Sequence, residues 1–295
     1  MLVYTADNME SKSENTGKLV GLSTPILPAM RRDGFSGRIL MRLETSNYLN
    51  RLEANQFSIF TQKFHKSVSK TFNQFKGSVI RKDNNTYLVL FASATNAVLC
   101  ALKIQANYKY ITPKLHSANR KLKIGIATTK SNPAKEEFIT EAVTAASRMC
   151  EGVMGQLIIS SNVKVIYELE NRNALINQDL IRTLKQWEER FLARLMEYCE
   201  KMWNKPNFNV GTMSAEMGWS KSQLYRKLLK LTGKSPNTFI REYRLHRALG
   251  LLHKQFGNIS EIASESGFSS PSYFSKCFMD KFGVLPSKYA RQHIL

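Results

Sequence analysis

Two segments near the C-terminus repeat one pattern of hydroxyl, aromatic and cationic residues. Residues 218–227 and 267–276 each begin with a Gly-aromatic pair, continue through serines and carry a cation near their end. Hydroxyl and cationic side chains form hydrogen bonds with base edges and with the phosphate oxygens of nucleic acids. Each segment, with the short apolar stretch before it, predicts a helix, a glycine turn and a second helix that begins at a serine. The repeat therefore predicts two helix-turn-helix units that share one DNA face.

The second helix of each unit is predicted to have one apolar face and one polar face. Leu224, Leu228 and Leu231 recur at three- and four-residue steps, and phenylalanines do the same in the second unit. These apolar side chains are expected to pack inward. The remaining side chains are the candidate DNA contacts: Lys221, Ser222, Tyr225, Arg226 and Lys227 in the first unit, and Pro271, Ser272, Ser275 and Lys276 in the second.

Arg226 is the strongest candidate for reading a base, because a guanidinium pairs bidentately with O6 and N7 of guanine. Lys276 and Ser272 come next, and for each candidate the alternative is an ordinary solvated surface side chain. Hydrogen bonds to bases or phosphates are expected from Ser222 and Ser275, stacking on a sugar or a thymine methyl group from Tyr225, and phosphate contacts from Lys221, Lys227 and Lys234.

The composition favours a polyanionic partner. The 295 residues include 43 Lys and Arg against 23 Asp and Glu, which gives a net charge of +20 and a pI near 9.9. Such an excess is typical of proteins that bind DNA, RNA or an anionic membrane surface, although a basic protein without such a partner has the same charge. Residues 190–295 are nearly twice as positive per residue as the rest of the chain.

Four cysteines lie far apart, and none pairs with another Cys or a His at metal-ligand spacing. They are expected to be reduced thiols, which is typical of a cytoplasmic protein. The first 21 residues are polar, and no apolar run approaches about 18 residues, so we expect no secretion signal and no membrane segment. The sequence predicts no metal site and no cofactor. The cysteines are Cys100, Cys150, Cys199 and Cys277.

The elements that position these residues fall into two domains. Residues 1–36 are predicted to be a flexible arm. Residues 37–170 alternate strands and helices in the order β-α-β-β-α-β-α-β-α, which predicts an α+β domain close to the ferredoxin-like plan. Residues 171–190 are predicted to be a helical linker. Residues 191–295 form an all-α domain that carries both helix-turn-helix units.

The C-terminal region resembles the DNA-binding domain of the AraC/XylS transcriptional regulators. The resemblance is carried by GKSPNTFI, REYRLHRALGLL and ISEIASESGFSSPSYFSKCFMDKFGVLPSKY, and the last stretch matches the family pattern throughout. The resemblance implies that double-stranded DNA is the partner. It also implies that the two recognition helices enter successive major-groove segments about one helical turn apart, over a site of about 15 to 20 base pairs.

Residues 37–168 resemble the catalytic domain of class III adenylate and guanylate cyclases. Three segments carry this likeness: FNQFKGSVIRKDNNTYLVLFASATNAVLCALKIQ, LKIGIATT and EEFITEAVTAASRMCEGVMGQLIIS. Enzymes of that family use two aspartates to hold two divalent metals. Here the first position is Leu43, with Glu44 beside it, and the second is Asn85, with Asp83 two residues out of register. An amide is a poor substitute for a carboxylate on a hard cation, so the resemblance implies a cyclase-like domain without catalysis.

The family also has an Asn-x-x-x-Arg pair on one helix face, which here reads Thr144 and Arg148. Arg148 is therefore a candidate to bind an anion or a ligand, against the alternative of a structural or ordinary surface arginine. Cyclase relatives pair head to tail, which implies a homodimer through this domain. The domain is expected to serve dimerisation or the sensing of an unidentified small-molecule effector.

These observations predict a sequence-specific DNA-binding transcription regulator that is not an enzyme. One alternative is an active nucleotidyl cyclase with a DNA-binding appendage, against which the missing metal carboxylates count. The other is a nucleic-acid-binding protein that uses charge alone and has no preference for sequence.

Overall fold

The computed structural model of the chain shows two packed regions, an N-terminal sheet domain and a C-terminal helical domain. The arm predicted for residues 1–36 lies outside the described residues. Within the part that is described, no helix is both long and apolar enough to cross a lipid bilayer. The described residues are 39–47, 54–83, 85–111, 120–129, 136–172, 174 and 176–292.

The described residues form six strands and eleven helices, labelled in chain order. The strands are β1 (Ile39–Asn47), β2 (Ser78–Lys82), β3 (Thr86–Phe91), β4 (Arg120–Thr128), β5 (Leu157–Ile159) and β6 (Ile181–Thr183). The helices are α1 (Ala54–Gln74), α2 (Ala94–Ile111), α3 (Glu136–Gly152), α4 (Ser161–Glu170), α5 (Gln186–Met202), α6 (Val210–Met217), α7 (Lys221–Thr232), α8 (Pro236–His253), α9 (Ile259–Glu265), α10 (Pro271–Phe282) and α11 (Pro286–Gln292).

The strands form one mixed sheet in the order β2-β3-β1-β4-β5-β6. The pairs β2·β3, β3·β1 and β1·β4 are antiparallel, whereas β5 is parallel to β4 and β6 is parallel to β5. The prediction of a mixed α+β region before an all-helical region is confirmed.

Helices cover both faces of this sheet. Because successive strand residues point to opposite faces, Ile39, Met41 and Leu43 of β1 pack on α1, α2 and α4, whereas Leu40 points to α3 on the other side. All four of these side chains are buried. Burial on both faces explains why the central strands are almost continuously apolar.

The prediction of a helical linker over residues 171–190 is wrong, because this segment contains strand β6 and because α5 begins only at Gln186. Strand β6 completes the sheet edge by pairing Ile181 with Leu157 of β5. The Ile181 side chain is 3% exposed and joins the core beneath the sheet. Burial of this β-branched residue at the edge outweighs the local preference of its polar neighbours.

The first helix-turn-helix unit shares a core with the N-terminal domain. One continuous apolar cluster runs from Leu40 of the sheet through Met149 of α3 to Leu192 of α5 and Leu224 of α7. The helices α3 and α5 approach closely at Gly152, where a methyl group would lie 2.8 Å from the Leu192 Cδ1. The sheet domain and the first unit are therefore packed as one body.

The second helix-turn-helix unit has a core of its own. Helices α9, α10 and α11 pack their apolar side chains against the C-terminal half of α8. The N-terminal half of α8 contributes Phe239, Ile240 and Tyr243 to the first core, and its C-terminal half contributes Leu245 and Ala248 to the second. Helix α8 therefore joins the two units.

Candidate nucleic-acid interface

The turn of the first unit forms as the sequence predicts. Gly218 ends α6 with a left-handed φ of 70°, a conformation that favours glycine. Ser220 then caps α7, because its hydroxyl accepts a hydrogen bond from the Gln223 N–H at 3.2 Å. The Gln223 Oε1 accepts in return from the Ser220 N–H at 3.0 Å. This reciprocal pair satisfies two N–H groups at the helix start and fixes where α7 begins.

The second unit repeats this arrangement. Gly267 turns the chain with a φ of 77°, and the Ser270 hydroxyl accepts from the Tyr273 N–H at 3.3 Å to cap α10. Ser270 is therefore the serine at which the second recognition helix begins. Pro271 occupies the first helical position, where the absence of an N–H costs nothing. The prediction of two helix-turn-helix units is confirmed.

Four of the five candidates in the first unit lie together on α7. Lys221, Ser222, Tyr225 and Arg226 are all exposed. They line one side of a shallow groove of about 380 Å³, whose other side is formed by residues 235–237 at the start of α8. Tyr225 is 46% exposed, so it is accessible to a stacking partner. The groove combines cations, a hydroxyl and an aromatic ring on one surface.

Lys227 lies apart from these four residues. Its side chain is only partly exposed, and its Nζ lies 4.5 Å from the ring centroid of Trp187 and 4.4 Å from that of Trp219. Both distances are within the range of a cation–π interaction. Trp187 stands in the first turn of α5, directly after the sheet domain. Lys227 therefore ties the first recognition helix to α5.

The candidates of the second unit occupy equivalent positions on α10. Pro271, Ser272 and Lys276 are exposed, and Ser275 is partly exposed. Lys276 lines a second groove of about 360 Å³ between α10 and α8. Since Ser220 and Ser270 are the caps of their helices, Arg226 and Lys276 both stand six residues after a cap.

Tyr273 is an exposed aromatic residue that is not among the DNA contacts predicted from the sequence. Its side chain is 50% exposed and lines the same groove as Lys276 and Arg241. The signal was present, because Tyr273 precedes Lys276 by three residues and so shares its helix face. The equivalent residue of the first unit, Gln223, is instead engaged in capping.

Arg148 lies between the domains and is engaged in an ion pair. Its Nη2 donates to the Glu197 Oε1 of α5 at 3.0 Å. The arginine side chain is 21% exposed and that of its partner 63%. An anion bound at Arg148 would have to compete with this carboxylate.

The carboxylates nearest to the two metal positions that the cyclase resemblance implied are also paired with arginines. The Glu44 Oε2 accepts from Arg42 at 3.2 Å, and the Asp83 Oδ2 accepts from Arg81 at 3.1 Å. Within the described ranges, no group of three or more His, Cys, Asp and Glu side chains is arranged to hold a metal ion. This donor set does not fit the two-metal centre that a cyclase uses.

A comparison with protein families places its match in the C-terminal region. A family described as "Helix-turn-helix domain" matches residues 213–292. The chain is 39% identical over 111 residues to Histidine kinase P4 of Formosa agariphila, across 38% of this chain and 8% of that protein. It is 31% identical over 116 residues to the HTH-type transcriptional regulator MtrA of Neisseria gonorrhoeae, across 39% of this chain and 38% of that protein. The matches thus span well under two thirds of these relatives.

A solved structure is also similar to part of this chain. It is a transcriptional regulator from Chromobacterium violaceum, described as an AraC-type DNA-binding domain-containing protein. The identity is 25%, the match covers 37% of this chain and 97% of that one, and the TM-score is 0.35. The helix-turn-helix family match and the sequence relatives agree with the two units seen in the fold. The C-terminal part of this chain is therefore a helix-turn-helix domain.

Proposed function

We propose that this protein is a transcription regulator that binds duplex DNA in a sequence-specific manner through α7 and α10. The observation that carries this proposal is the equivalent placement of Arg226 and Lys276, each exposed and six residues after its capping serine. A cation on the outer face of both recognition helices can donate to base edges in two major-groove segments. The surrounding hydroxyls and aromatic rings add hydrogen-bonding and stacking groups.

The N-terminal domain is proposed to be a ferredoxin-like, cyclase-like module without catalysis. The strand order β2-β3-β1-β4, with α1 and α2 on one face, supports the split β-α-β plan of that fold. The pairing of Glu44 with Arg42 and of Asp83 with Arg81 supports the loss of metal binding. We propose that the domain serves dimerisation or binds a small-molecule effector, and that the protein acts in the cytoplasm, where bacterial DNA lies.

The continuous core supports a role for this domain in controlling DNA binding. A ligand that changes the packing of α3 also changes the packing of α5, since both helices belong to one apolar cluster. Helix α7 belongs to the same cluster. A change in the sheet domain therefore has a physical route to the first recognition helix.

The proposal is tested by selecting bound fragments from a random DNA pool with the purified full chain. The selected site then competes with random DNA at physiological salt. We expect the selected site to bind about 10³-fold or more tightly than random DNA, as specific regulators do. An affinity ratio near one contradicts the proposal and favours a protein that binds by charge alone.

A second measurement tests the absence of catalysis. The full chain is incubated with ATP or GTP and manganese, and the products are separated by chromatography. We expect no cyclic nucleotide, because the donor set for two metals is incomplete. Formation of cyclic AMP or cyclic GMP in proportion to protein concentration contradicts this part of the proposal.

A further inference from the structure

Glu242, on the linker helix α8, contacts both helix-turn-helix units at once. Its Oε2 accepts from the Lys234 Nζ at 2.8 Å and from the Lys281 Nζ at 2.5 Å. Lys234 stands in the turn that follows the first recognition helix, and Lys281 stands in the last turn of the second. One carboxylate oxygen therefore joins a group from each unit.

This bridge is well shielded from water. The side chains of Glu242 and Lys281 are each 18% exposed, and that of Lys234 is 31% exposed. Burial acts to raise the pKa of Glu242, but the hydrogen bonds and charges of the two lysines outweigh it and lower the pKa to about 2. The carboxylate is therefore charged throughout the physiological range. An enclosed pair of this kind holds its geometry better than an ion pair on an open surface.

Arg244, two residues after Glu242 on α8, also contacts both units. The Arg244 Nε donates to the Trp203 carbonyl oxygen at 2.9 Å, and its Nη2 donates to the Lys205 carbonyl oxygen at 3.0 Å, both in the first unit. The same guanidinium lies against Gly267 of the second unit, where a methyl group would come within 2.8 Å of it. Polar contacts across α8 thus reinforce a junction between two separate apolar cores.

We propose that Glu242 is a positioning residue that fixes the separation and angle of the two recognition helices. It thereby sets the spacing between DNA segments that the protein accepts. This inference rests on the proposed function. Without the carboxylate, the charges of Lys234 and Lys281 repel each other across the junction, which then relies on the Arg244 contacts and on the packing of α8 to hold the second unit. The charge of Lys234, no longer balanced by Glu242, also attracts phosphates without regard to sequence.

The test compares the full chain with its Glu242→Gln variant on the selected site and on versions with one base pair inserted or removed between the two segments. Glutamine keeps the shape of the side chain and removes its charge. We expect wild type to bind misspaced sites at least about tenfold more weakly, because one helix then gives up its base contacts. We expect Glu242→Gln to reduce this penalty to about threefold and to bind random DNA more tightly.

A charge-matched control separates positioning from simple electrostatics. Asp280 precedes Lys281 on α10, is exposed, and forms no ion pair with any other described residue. Like Glu242→Gln, the Asp280→Asn substitution removes one negative charge close to α10, but it leaves the bridge intact. We therefore expect tighter binding to every DNA sequence and an unchanged penalty for misspaced sites. Lys281→Gln breaks the bridge from its other end, and we expect it to reduce the penalty as Glu242→Gln does. If Glu242→Gln fails to fold, the Lys281→Gln variant tests the same inference in its place.

The outcomes distinguish this inference from the proposed function. If wild type prefers its selected site and Glu242→Gln keeps the full spacing penalty, Glu242 is not a positioning residue. If Asp280→Asn relaxes the penalty as much as Glu242→Gln does, the effect is one of charge and the inference is overturned. If wild type shows no preference for its selected site, the proposed function itself fails.

Discussion

The main-chain N–H of Met154 donates to the main-chain carbonyl oxygen of Leu231 at 2.9 Å. Met154 follows α3 in the sheet domain, whereas Leu231 lies in the last turn of the first recognition helix. The last carbonyls of a helix have no partner within it, so this hydrogen bond satisfies one of them from another domain. The sheet domain therefore helps to define where α7 ends, in addition to sharing its core.

Substitution of Gly233 by alanine should weaken this junction. Gly233 has a φ of 71°, and a methyl group there would lie 2.8 Å from the Met154 Sδ. A left-handed alanine costs about 1–2 kcal/mol, and the close approach to the Met154 Sδ should add a smaller cost for displacing that side chain. Urea denaturation of the full chain measures the sum as a change in the free energy of unfolding.

Gly218→Ala is the matched control for this prediction. Gly218 has nearly the same φ of 70°, but nothing lies within 4 Å of a methyl group at that position. It should therefore show the backbone cost alone. In a Met154→Ala background, the excess cost at Gly233 should disappear. Equal costs at Gly218 and Gly233 in the wild-type background would show that Met154 moves aside freely.

Two lysines of α7 should differ in their contribution to the salt dependence of DNA binding. Lys221 is exposed at the start of the helix, whereas the Lys227 ammonium lies over Trp187 and Trp219. Replacing Lys221 with alanine should reduce the slope of log K against log salt by about 1, as loss of a phosphate contact does. Replacing Lys227 should leave the slope unchanged.

Lys227→Ala should instead lower stability, because a cation over two indole rings contributes about 0.5–2 kcal/mol. The measurements are binding titrations at several salt concentrations and urea denaturation of each variant. A slope that falls by about 1 for Lys227→Ala would support the phosphate contact that the sequence predicted, and would count against the tryptophan contact as its main role.

The sequence predicts the parts of the interface that depend on neighbouring residues. The capping serines Ser220 and Ser270 act within one helical turn, and the glycines at 218 and 267 act at single backbone positions. Leucine or phenylalanine periodicity then fixes which face of the recognition helix is buried. Each rule operates over fewer than about eight residues, which is why both units could be located in advance.

The contacts between distant segments could not be predicted in this way. Strand β6 forms because Ile181 meets β5, and the Lys227 ammonium lies over Trp187, which reaches it from α5. Lys234, expected at a phosphate, is held by Glu242 eight residues later and by the packing of two units. A long cation has several partners within reach, and only the tertiary fold decides which one it takes.

Arg226 should read a base and should therefore lose discrimination when it is changed. Arg226→Ala should cost about 1–3 kcal/mol on the selected site and relax the preference at one position. Arg226→Lys is the informative companion, since lysine keeps the charge but cannot form the bidentate pair with guanine. We expect lysine to restore affinity for random DNA and to leave the preference relaxed.

These two variants are compared by repeating the selection and by titrating the selected site and its single-position mutants. If Arg226→Ala weakens binding to all sequences equally and Arg226→Lys restores it fully, Arg226 contacts a phosphate. The exposed cation at the matching position, Lys276, would then be the better candidate for reading a base.

The Glu242 bridge should give the stability of the protein a distinctive dependence on pH. The pKa of Glu242 in the folded chain, about 2, lies below its ordinary value of 4.5. The folded state therefore favours the charged carboxylate, so the contribution of the bridge is fully present above about pH 5 and is lost as the pH falls toward 2. Its size is at most about 3 kcal/mol.

The measurement is the free energy of unfolding of wild type and of Glu242→Gln at several pH values between pH 6 and pH 2. The difference between the two proteins isolates Glu242, because the other carboxylates titrate in both. Wild type should be the more stable protein at pH 6, and the difference should shrink steadily below about pH 4.5. A difference that stays constant down to pH 2 would mean that the carboxylate gains nothing from Lys234 and Lys281. The loss of spacing discrimination in the variant would then need another cause.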